Sequence, residues 1–204
     1  MLNKKLLAIA SIIATLSASA SYAKTEGGYV GVDISRYSVT DKYPSPEDTQ
    51  VSPAFGINAK YAINFDKVFI APGIFADFNN TDKKDIGFGY SEKISVKNRY
   101  GIKADLGYDL TDKFAVYATG GIATVNTAYE YNRLAGGVWE SYKKSSYRSG
   151  AVYGAGLAYN YSNNITFNAE YNTQLIKAKF EPFSMGYDNK FKINVLKLGV
   201  SYHF

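Results

Sequence analysis

The chain has 204 residues, a formal net charge of +5, a mean hydropathy of −0.21 and no cysteine. The small positive excess gives no sign of nucleic-acid binding. Without cysteine the chain forms no disulfide and carries no lipid on a thiol.

The first 23 residues have the pattern of a cleavable signal peptide. Lys4 and Lys5 form a basic start, residues 6–16 are apolar, and Ser21 and Ala23 supply the small residues that a signal peptidase reads. The apolar run is too short to span the ~30 Å of a bilayer core. We expect cleavage after Ala23, which lowers the formal charge to +3 and leaves one domain over residues 24–204.

Eight later segments alternate between apolar and polar residues, the pattern typical of β-strands with one apolar face. They cover residues 29–38, 54–63, 68–78, 94–110, 114–126, 150–161, 165–177 and 197–204. Pro72 predicts a bulge or distortion in the third segment, because proline cannot donate to a sheet ladder. In the fifth segment, Gly120 and Gly121 leave the facing of the strand undefined.

No charged residue occurs among the residues that we assign to the apolar faces, such as Val30, Val32 and Ile34 in the first segment. The charges lie on the opposite faces, at Asp33, Lys60, Asp77, Lys103, Asp105, Glu170 and Lys197. Periodicity alone does not tell an outward apolar face from an inward one. The opposite faces are otherwise rich in Gly, Ala, Ser and Asn, which suit a narrow polar interior, and a cation on the lipid side of a barrel costs ~2–4 kcal/mol. The pattern therefore favours apolar faces that point outward, the reverse of a soluble β-sandwich.

The connections alternate between short and long. Residues 64–67, 111–113 and 162–164 are tight polar turns, whereas 39–52, 79–93, 127–149 and 178–190 are predicted as long loops. In transmembrane barrels the short turns are periplasmic and the long loops extracellular. An even number of strands then places both termini in the periplasm.

The last eight residues form a strand that ends on an aromatic residue. Leu198, Val200, Tyr202 and Phe204 share its apolar face. The pattern Lys197, Gly199, Tyr202, Phe204 resembles the C-terminal signal by which bacterial outer-membrane proteins are recognised for assembly.

Residues 26–204 as a whole resemble the small eight-stranded outer-membrane barrels of the OmpA transmembrane-domain and OmpX type. The resemblance implies an all-β fold, a monomeric eight-stranded antiparallel up-and-down transmembrane β-barrel in a Gram-negative outer membrane. It implies contacts with outer-membrane lipid, lipopolysaccharide and the barrel-assembly machinery. A host-cell surface protein is a further candidate partner.

Catalysis is not expected. His203 is the single histidine, and it lies beside the C-terminus, far from the outer leaflet where barrel hydrolases need a histidine and a serine. No cluster of histidine or cysteine suggests a metal. We therefore predict no catalytic, metal-binding or cofactor-binding residues.

Two polar features remain as candidate functional sites. The seven charged residues predict an ion-pair network that either fills the lumen or lines a narrow gated pore. The loop at 127–149 carries aromatic and basic residues that are candidates for surface contacts: Arg133, Trp139, Tyr142, Lys143, Lys144 and Arg148. The alternative is that the aromatic residues belong to an aromatic girdle and that the basic residues bind lipid headgroups. We predict a structural or surface-interaction role, such as adhesion or envelope integrity, with a small pore as the alternative.

Overall fold

The computed structural model describes residues 26–41, 48–180 and 187–204, so the predicted signal peptide lies outside the described residues. The strands are β1 (Gly27–Asp41), β2 (Asp48–Phe65), β3 (Val68–Gly87), β4 (Tyr90–Asp109), β5 (Phe114–Ala135), β6 (Val138–Asn160), β7 (Ile165–Phe180) and β8 (Tyr187–His203). Each is antiparallel to its neighbours in one closed barrel. No helix among the described residues is long and apolar enough to cross a membrane. The predicted all-β, eight-stranded antiparallel barrel is confirmed.

The C-terminal strand closes the barrel. β8 pairs with β1 from His203 opposite Tyr29, and with β7 from Tyr202 opposite Ile165. These are the two neighbours that an eight-stranded up-and-down barrel requires for its last strand. Closure leaves no sheet edge in this part of the molecule, and that is a condition for β-structure inside a membrane.

The outer surface of the closed part is apolar. Ile34, Ile102 and Leu157 point outward and are each more than half exposed, whereas the charged Asp33 and Asp105 point inward and are buried. We call this outer surface the lipid-facing band. Aromatic residues mark both of its rims, as in the girdles of transmembrane barrels: Phe55, Phe78, Tyr100, Tyr153 and Tyr171 on one side, and Phe65, Tyr108, Phe114, Tyr161, Tyr202 and Phe204 on the other. The outward facing of the apolar residues is as predicted.

The two adjacent glycines of β5 have opposite environments, and this settles the facing of that strand. A Cβ atom on Gly121 would lie 2.3 Å from the carbonyl oxygen of Ile102 and 2.7 Å from the Cα of Lys103. A Cβ on Gly120 would meet nothing within 4 Å. Gly121 therefore lies on the crowded inner face and Gly120 on the open outer face.

Pro72 does not produce the bulge that the sequence suggests. β3 keeps one register with β4 through the pair Pro72–Ala104, and its ladder with β2 is interrupted opposite Pro72 without a change of register. The register shift lies further along, between Asp77 and Asn80. The ladder tolerates the missing donor because the strands on both sides of the gap remain paired.

Short turns join the strands at one end of the barrel, as predicted, but two of the predicted long loops are mostly strand. Residues 79–93 form a hairpin that turns at Phe88–Gly89, and residues 127–149 form one that turns at Gly136–Gly137. Both Gly136 and Gly137 have positive φ, the conformation of the tight turn preferred in hairpins. At 39–52 and 178–190 the strands also extend into the predicted loops.

The barrel divides into two sheets at the end that carries these hairpins, here called the upper end. The ladder between β2 and β3 stops at Phe55 opposite Phe78, and the ladder between β6 and β7 starts at Val152 opposite Gln174. Above these points β3–β6 remain paired to each other, as do β7, β8, β1 and β2. We call the upper parts of β3–β6 the projecting sheet (residues 79–87, 90–99, 124–135 and 138–151).

Polarity inverts where the barrel divides. Below this point the outward residues are apolar and the inward ones polar. Above it the inward residues form a buried apolar cluster between the two sheets, here called the apolar layer: Tyr37, Val39, Ile94, Val96, Val125, Tyr129, Ile176, Phe191, Ile193 and Val195. The outward residues there include Asn126, Glu130, Lys143 and Ser145. The upper end thus has the inside and outside of a water-soluble sandwich.

We predict that Gly121→Ala destabilises the barrel by about 1–3 kcal/mol, because the added methyl group meets backbone atoms that cannot move aside. Gly120→Ala is the matched control and should change stability by less than about 0.5 kcal/mol, because its methyl group enters open space. Urea unfolding of the two variants in lipid would measure both. Equal losses would contradict the assigned facing of β5.

Candidate functional site: the lumen network and the projecting sheet

Asp77 and Arg99 form the centre of a charged network in the lumen. The Nε and Nη2 atoms of Arg99 both donate to Oδ2 of Asp77, at 3.0 and 2.8 Å, and neither side chain is exposed. Lys197 donates to Oδ1 of the same carboxylate, and its Nζ lies 3.4 Å from Oδ1 of Asp33. Tyr37 donates its hydroxyl to Asp77 as well. Each buried charge therefore faces an opposite one, the condition under which burial is tolerated.

A second group of ion pairs lies further down the lumen. Lys103 donates to Glu170, and its Nζ is 3.8 Å from Oδ1 of Asp105. Lys60 donates to Oδ2 of Asp105 at 2.9 Å. The structure thus brings together all seven charged residues that the sequence singles out. With Arg99 they form what we call the lumen network, in which four cations face four carboxylates.

Arg99 is the member of the lumen network that sequence reasoning missed. It lies two residues before Gly101 and four before Lys103, on the same inward face of β4. That alternation was the signal that could have found it. Its guanidinium also donates to Oδ1 of Asn172 at 3.0 Å and lies against the rings of Tyr37 and Phe75.

Apolar side chains close the lumen network off at both ends. The apolar layer lies above it, and a smaller cluster that includes Tyr29, Phe69 and Tyr117 lies below. Between them, a cavity of about 20 Å³ is lined by Asp33, Lys60 and other polar side chains. This volume has room for about one water molecule. No group of histidine, cysteine or carboxylate side chains that could hold a metal occurs in the described ranges.

The six predicted surface residues lie on the β5–β6 hairpin and divide between its two faces. Trp139 and Lys143 are on the outer face, and Lys143 lies 3.4 Å from Glu130. The other four, Arg133, Tyr142, Lys144 and Arg148, are on the inner face. Arg133 pairs with Glu140 at 2.7 Å, and Tyr142 packs against the apolar layer. These residues therefore do not form one contiguous surface.

The predicted C-terminal signal also divides between two environments. Lys197 and Gly199 face the lumen, and a Cβ on Gly199 would lie 2.7 Å from Oδ1 of Asn168. Tyr202 and Phe204 face outward with their rings 5.1 Å apart. Of the four residues of the predicted signal, only Tyr202 and Phe204 belong to the outer surface of the assembled barrel.

His203 lies at the lower end of the barrel. Its ring stacks on Tyr29, with the ring centroids 4.4 Å apart, and its nitrogens lie 2.6 and 3.1 Å from the carbonyl oxygens of Glu26 and Asn163. These contacts join the first strand, the last strand and the turn between β6 and β7. The contacts of His203, the only histidine of the chain, are therefore structural. They lie at the end of the barrel away from the projecting sheet.

The upper part of β6 is the edge of the projecting sheet. The N–H of Asn160 donates to the carbonyl of Lys113 on the β5 side. Because N–H directions alternate along a strand, even-numbered residues of β6 bond to β5 and odd-numbered ones point away. Within the described residues, the ladder with β7 starts only at Val152, whereas the ladder with β5 reaches Val138. The backbone groups of Trp139, Ser141, Lys143, Ser145 and Tyr147 consequently point out from the sheet edge.

Comparison with known proteins gives matches in sequence and in structure. The model of a family described as "Outer membrane protein beta-barrel domain" matches residues 6–204. The virulence membrane protein PagC of Salmonella typhimurium is 31% identical over 119 residues, which cover 58% of this chain and 57% of PagC. The match thus spans little more than half the length of that relative.

Two solved structures of similar fold are the attachment invasion locus protein Ail of Yersinia pestis and the Neisserial surface protein A. Ail is 18% identical, with 88% of this chain and 99% of Ail covered and a TM-score of 0.49. The Neisserial protein is 15% identical, with 87% and 97% covered and a TM-score of 0.48.

We predict that Arg99→Met lowers the free energy of unfolding by about 3–5 kcal/mol, because it removes a fully buried partner of Asp77. The matched control is Arg133→Met, which breaks the partly exposed pair with Glu140 and should cost about 1 kcal/mol or less. Equilibrium unfolding in urea compares the two. A similar loss in both variants would contradict the central place of Arg99 in the lumen network.

Proposed function

Because the chain belongs to the outer membrane protein beta-barrel family, we propose that it is a surface-interaction protein that presents the projecting sheet outside the cell. The observation that carries the proposal is the edge of β6, where a row of backbone groups points away from the barrel. An extended segment of a partner would bind there by adding a strand. The description of the PagC relative as a virulence membrane protein supports a role at the cell surface.

The proposed orientation places the upper end outside and both termini in the periplasm. It is supported by the short turns at the lower end and the long hairpins at the upper end, the usual asymmetry of such barrels. In this proposal, residues 1–23 are removed as a signal peptide and residues 24–204 form the barrel domain. Lys197, Gly199, Tyr202 and Phe204 serve as the signal for the barrel-assembly machinery.

The free backbone of a sheet edge gives affinity, and the side chains on the edge strand select the partner. Lys143 and Lys144 are exposed on this strand, and the one carboxylate between Trp139 and Arg148 belongs to Glu140, which is already bonded to Arg133. The edge is therefore cationic. We propose an extended acidic segment of a host-cell surface protein as its partner.

Lipid and lipopolysaccharide are proposed as the second class of partner. Arg36, Lys97 and Lys177 face outward directly above the lipid-facing band and are exposed. Cations at this level suit the phosphates of headgroups. We also propose that the barrel is a monomer, because the ladders close it within one copy of the chain.

The alternative function is a narrow gated pore, which the charged lumen network favours. Two features weigh against conduction. The lumen charges pair with each other, and apolar side chains close the lumen above and below them. A structural role in envelope integrity needs neither a pore nor a ligand and is compatible with the same geometry.

We predict that Ser145→Pro reduces the binding of bacteria displaying the protein to host cells by about tenfold, the loss expected for one hydrogen bond at the edge. Proline removes an N–H that points away from β5, so the ladder with β5 stays intact. Ser145→Thr keeps the N–H and should bind normally. Asn126→Ala is a further control, because it removes only the side-chain bond to Ser145. Equal binding by the proline and threonine variants would contradict the edge mechanism.

For the pore alternative we expect no discrete conductance steps from the wild-type protein in planar bilayers, because apolar residues close the lumen. The variant for comparison is Lys103→Ala, which removes the ion pair with Glu170 from the lumen network. Wild-type steps whose size or gating changes in this variant would establish a pore. They would also overturn the argument that the lumen is closed.

A further inference from the structure

The outer face of the projecting sheet is mostly polar, but the sheet ends in exposed apolar side chains. Phe88 is fully exposed in the turn between β3 and β4, and Ile86, Val138 and Trp139 are 76, 66 and 60% exposed. Leu134 and Tyr90 complete the group. We call these six residues the hairpin tip. Ile86, Leu134 and Trp139 lie on the outer face of the sheet, Tyr90 and Val138 lie on its inner face, and Phe88 lies in the turn. Exposed apolar side chains collected at one end of a folded protein mark a contact surface.

The two turns of the hairpin tip are joined into one unit. The N–H of Leu134 in β5 donates to the carbonyl of Gly89 in the other turn, at 2.8 Å. Leu134 also lies opposite Trp139 across the β5–β6 ladder. The apolar side chains thus project from a single rigid end, not from two separate loops.

The hairpin tip is too far from the lipid-facing band to enter the membrane that holds the barrel. Twelve residues of β5 separate Ile122 in the band from Leu134 at the tip, a length of about 40 Å along the strand. With a strand tilt of about 40° the tip stands roughly 30 Å above the band. The outward side chains between them include Asn126, Glu130 and Asn132, which suit water and not lipid.

We propose that the hairpin tip inserts into the surface of a second, apposed lipid bilayer. The inference rests on the orientation proposed above, with the projecting sheet outside the cell. Tryptophan, tyrosine and phenylalanine beside aliphatic side chains are the residues that bury well at a membrane interface. Phe88 is the most exposed of the six side chains. A fluid bilayer takes up such side chains without a complementary pocket.

The charges around the hairpin tip favour a zwitterionic surface over an anionic one. From the Lys84–Lys93 pair upward, four cations are balanced by four carboxylates: Lys84, Lys93, Arg133 and Lys143 by Asp85, Glu92, Glu130 and Glu140. Arg133 and Glu140 bond to each other. Insertion is therefore driven by apolar burial and should depend little on anionic lipid or on salt.

Trp139 is the only tryptophan of the chain, so its fluorescence reports on the hairpin tip alone. The protein would be placed in phosphatidylcholine nanodiscs, and separate phosphatidylcholine vesicles added, with bromine on their acyl chains either near the headgroups or deep in the bilayer. We expect a blue shift of the emission and quenching that is stronger from the shallow bromines. Adding phosphatidylserine or salt should change the binding by less than about twofold, because the tip has no excess of cations.

The variant Ile86→Ser/Phe88→Ser keeps the reporter and removes two of the apolar side chains. We expect it to bind the vesicles at least about tenfold more weakly, since burial of one such side chain is worth that factor or more. Ser145→Pro, at the sheet edge, is the matched control and should be quenched like the wild type. The assay does not depend on the orientation in cells, so its failure differs from a failure of the edge proposal.

Three outcomes would overturn the proposal. The first is an emission spectrum that no vesicle changes. The second is binding that appears only with phosphatidylserine and disappears in salt, which is adsorption by charge. The third is a blue shift without vesicles that grows with protein concentration, which identifies a second copy of the chain as the occupant of the tip.

Discussion

A backbone N–H or C=O group in hydrocarbon has no water to bond, and the structure follows from this constraint. In the lipid-facing band every strand has a ladder on both sides, interrupted only between β2 and β3 opposite Pro72, and β8 closes the sheet onto β1. The ladders between β2 and β3 and between β6 and β7 end at the upper aromatic rim. Unpaired edges therefore arise only where water can satisfy them. The edge that we propose as a binding site is permitted by its height above the membrane.

The same boundary determines what fills the interior. Where lipid surrounds the barrel, the polar side chains are inside, and their charges are paired in the lumen network around Asp77 and Arg99. Where water surrounds it, apolar side chains such as Val125 and Ile193 are inside. β4, β7 and β8 thus change their inward residues from charged to apolar as they rise, from Lys103 to Val96, from Glu170 to Ile176 and from Lys197 to Val195. The apolar layer joins the two upper sheets after their ladders have separated, so the packing of side chains replaces hydrogen bonding.

The period-two pattern was sufficient to predict the eight strands, the outward faces of all of them except β5, and the closing partners of β8. It was insufficient at the upper end, because the polarity inverts there while the strands continue. Residues 143–146 are all polar and show no alternation, so the sequence pattern predicts a loop there, although Gly136–Gly137 marks a tight turn. Arg99 lay on the predicted inward face and was missed beside a register shift of β4. Strand register determines which side chains of the lumen network contact each other, and the periodicity of the sequence does not determine the register.

Packing constrains the inward face of the projecting sheet more than its outward face. This difference allows the outward face to change while the barrel stays folded. Inward residues such as Tyr129 pack in the apolar layer, so their volume is fixed by neighbours on several strands. Outward pairs such as Glu130 with Lys143 are largely exposed, so few neighbours constrain their volume. Substitutions on the outward face therefore cost little stability. Edge and tip can change their partners while the lipid-facing band and the lumen network keep the barrel folded.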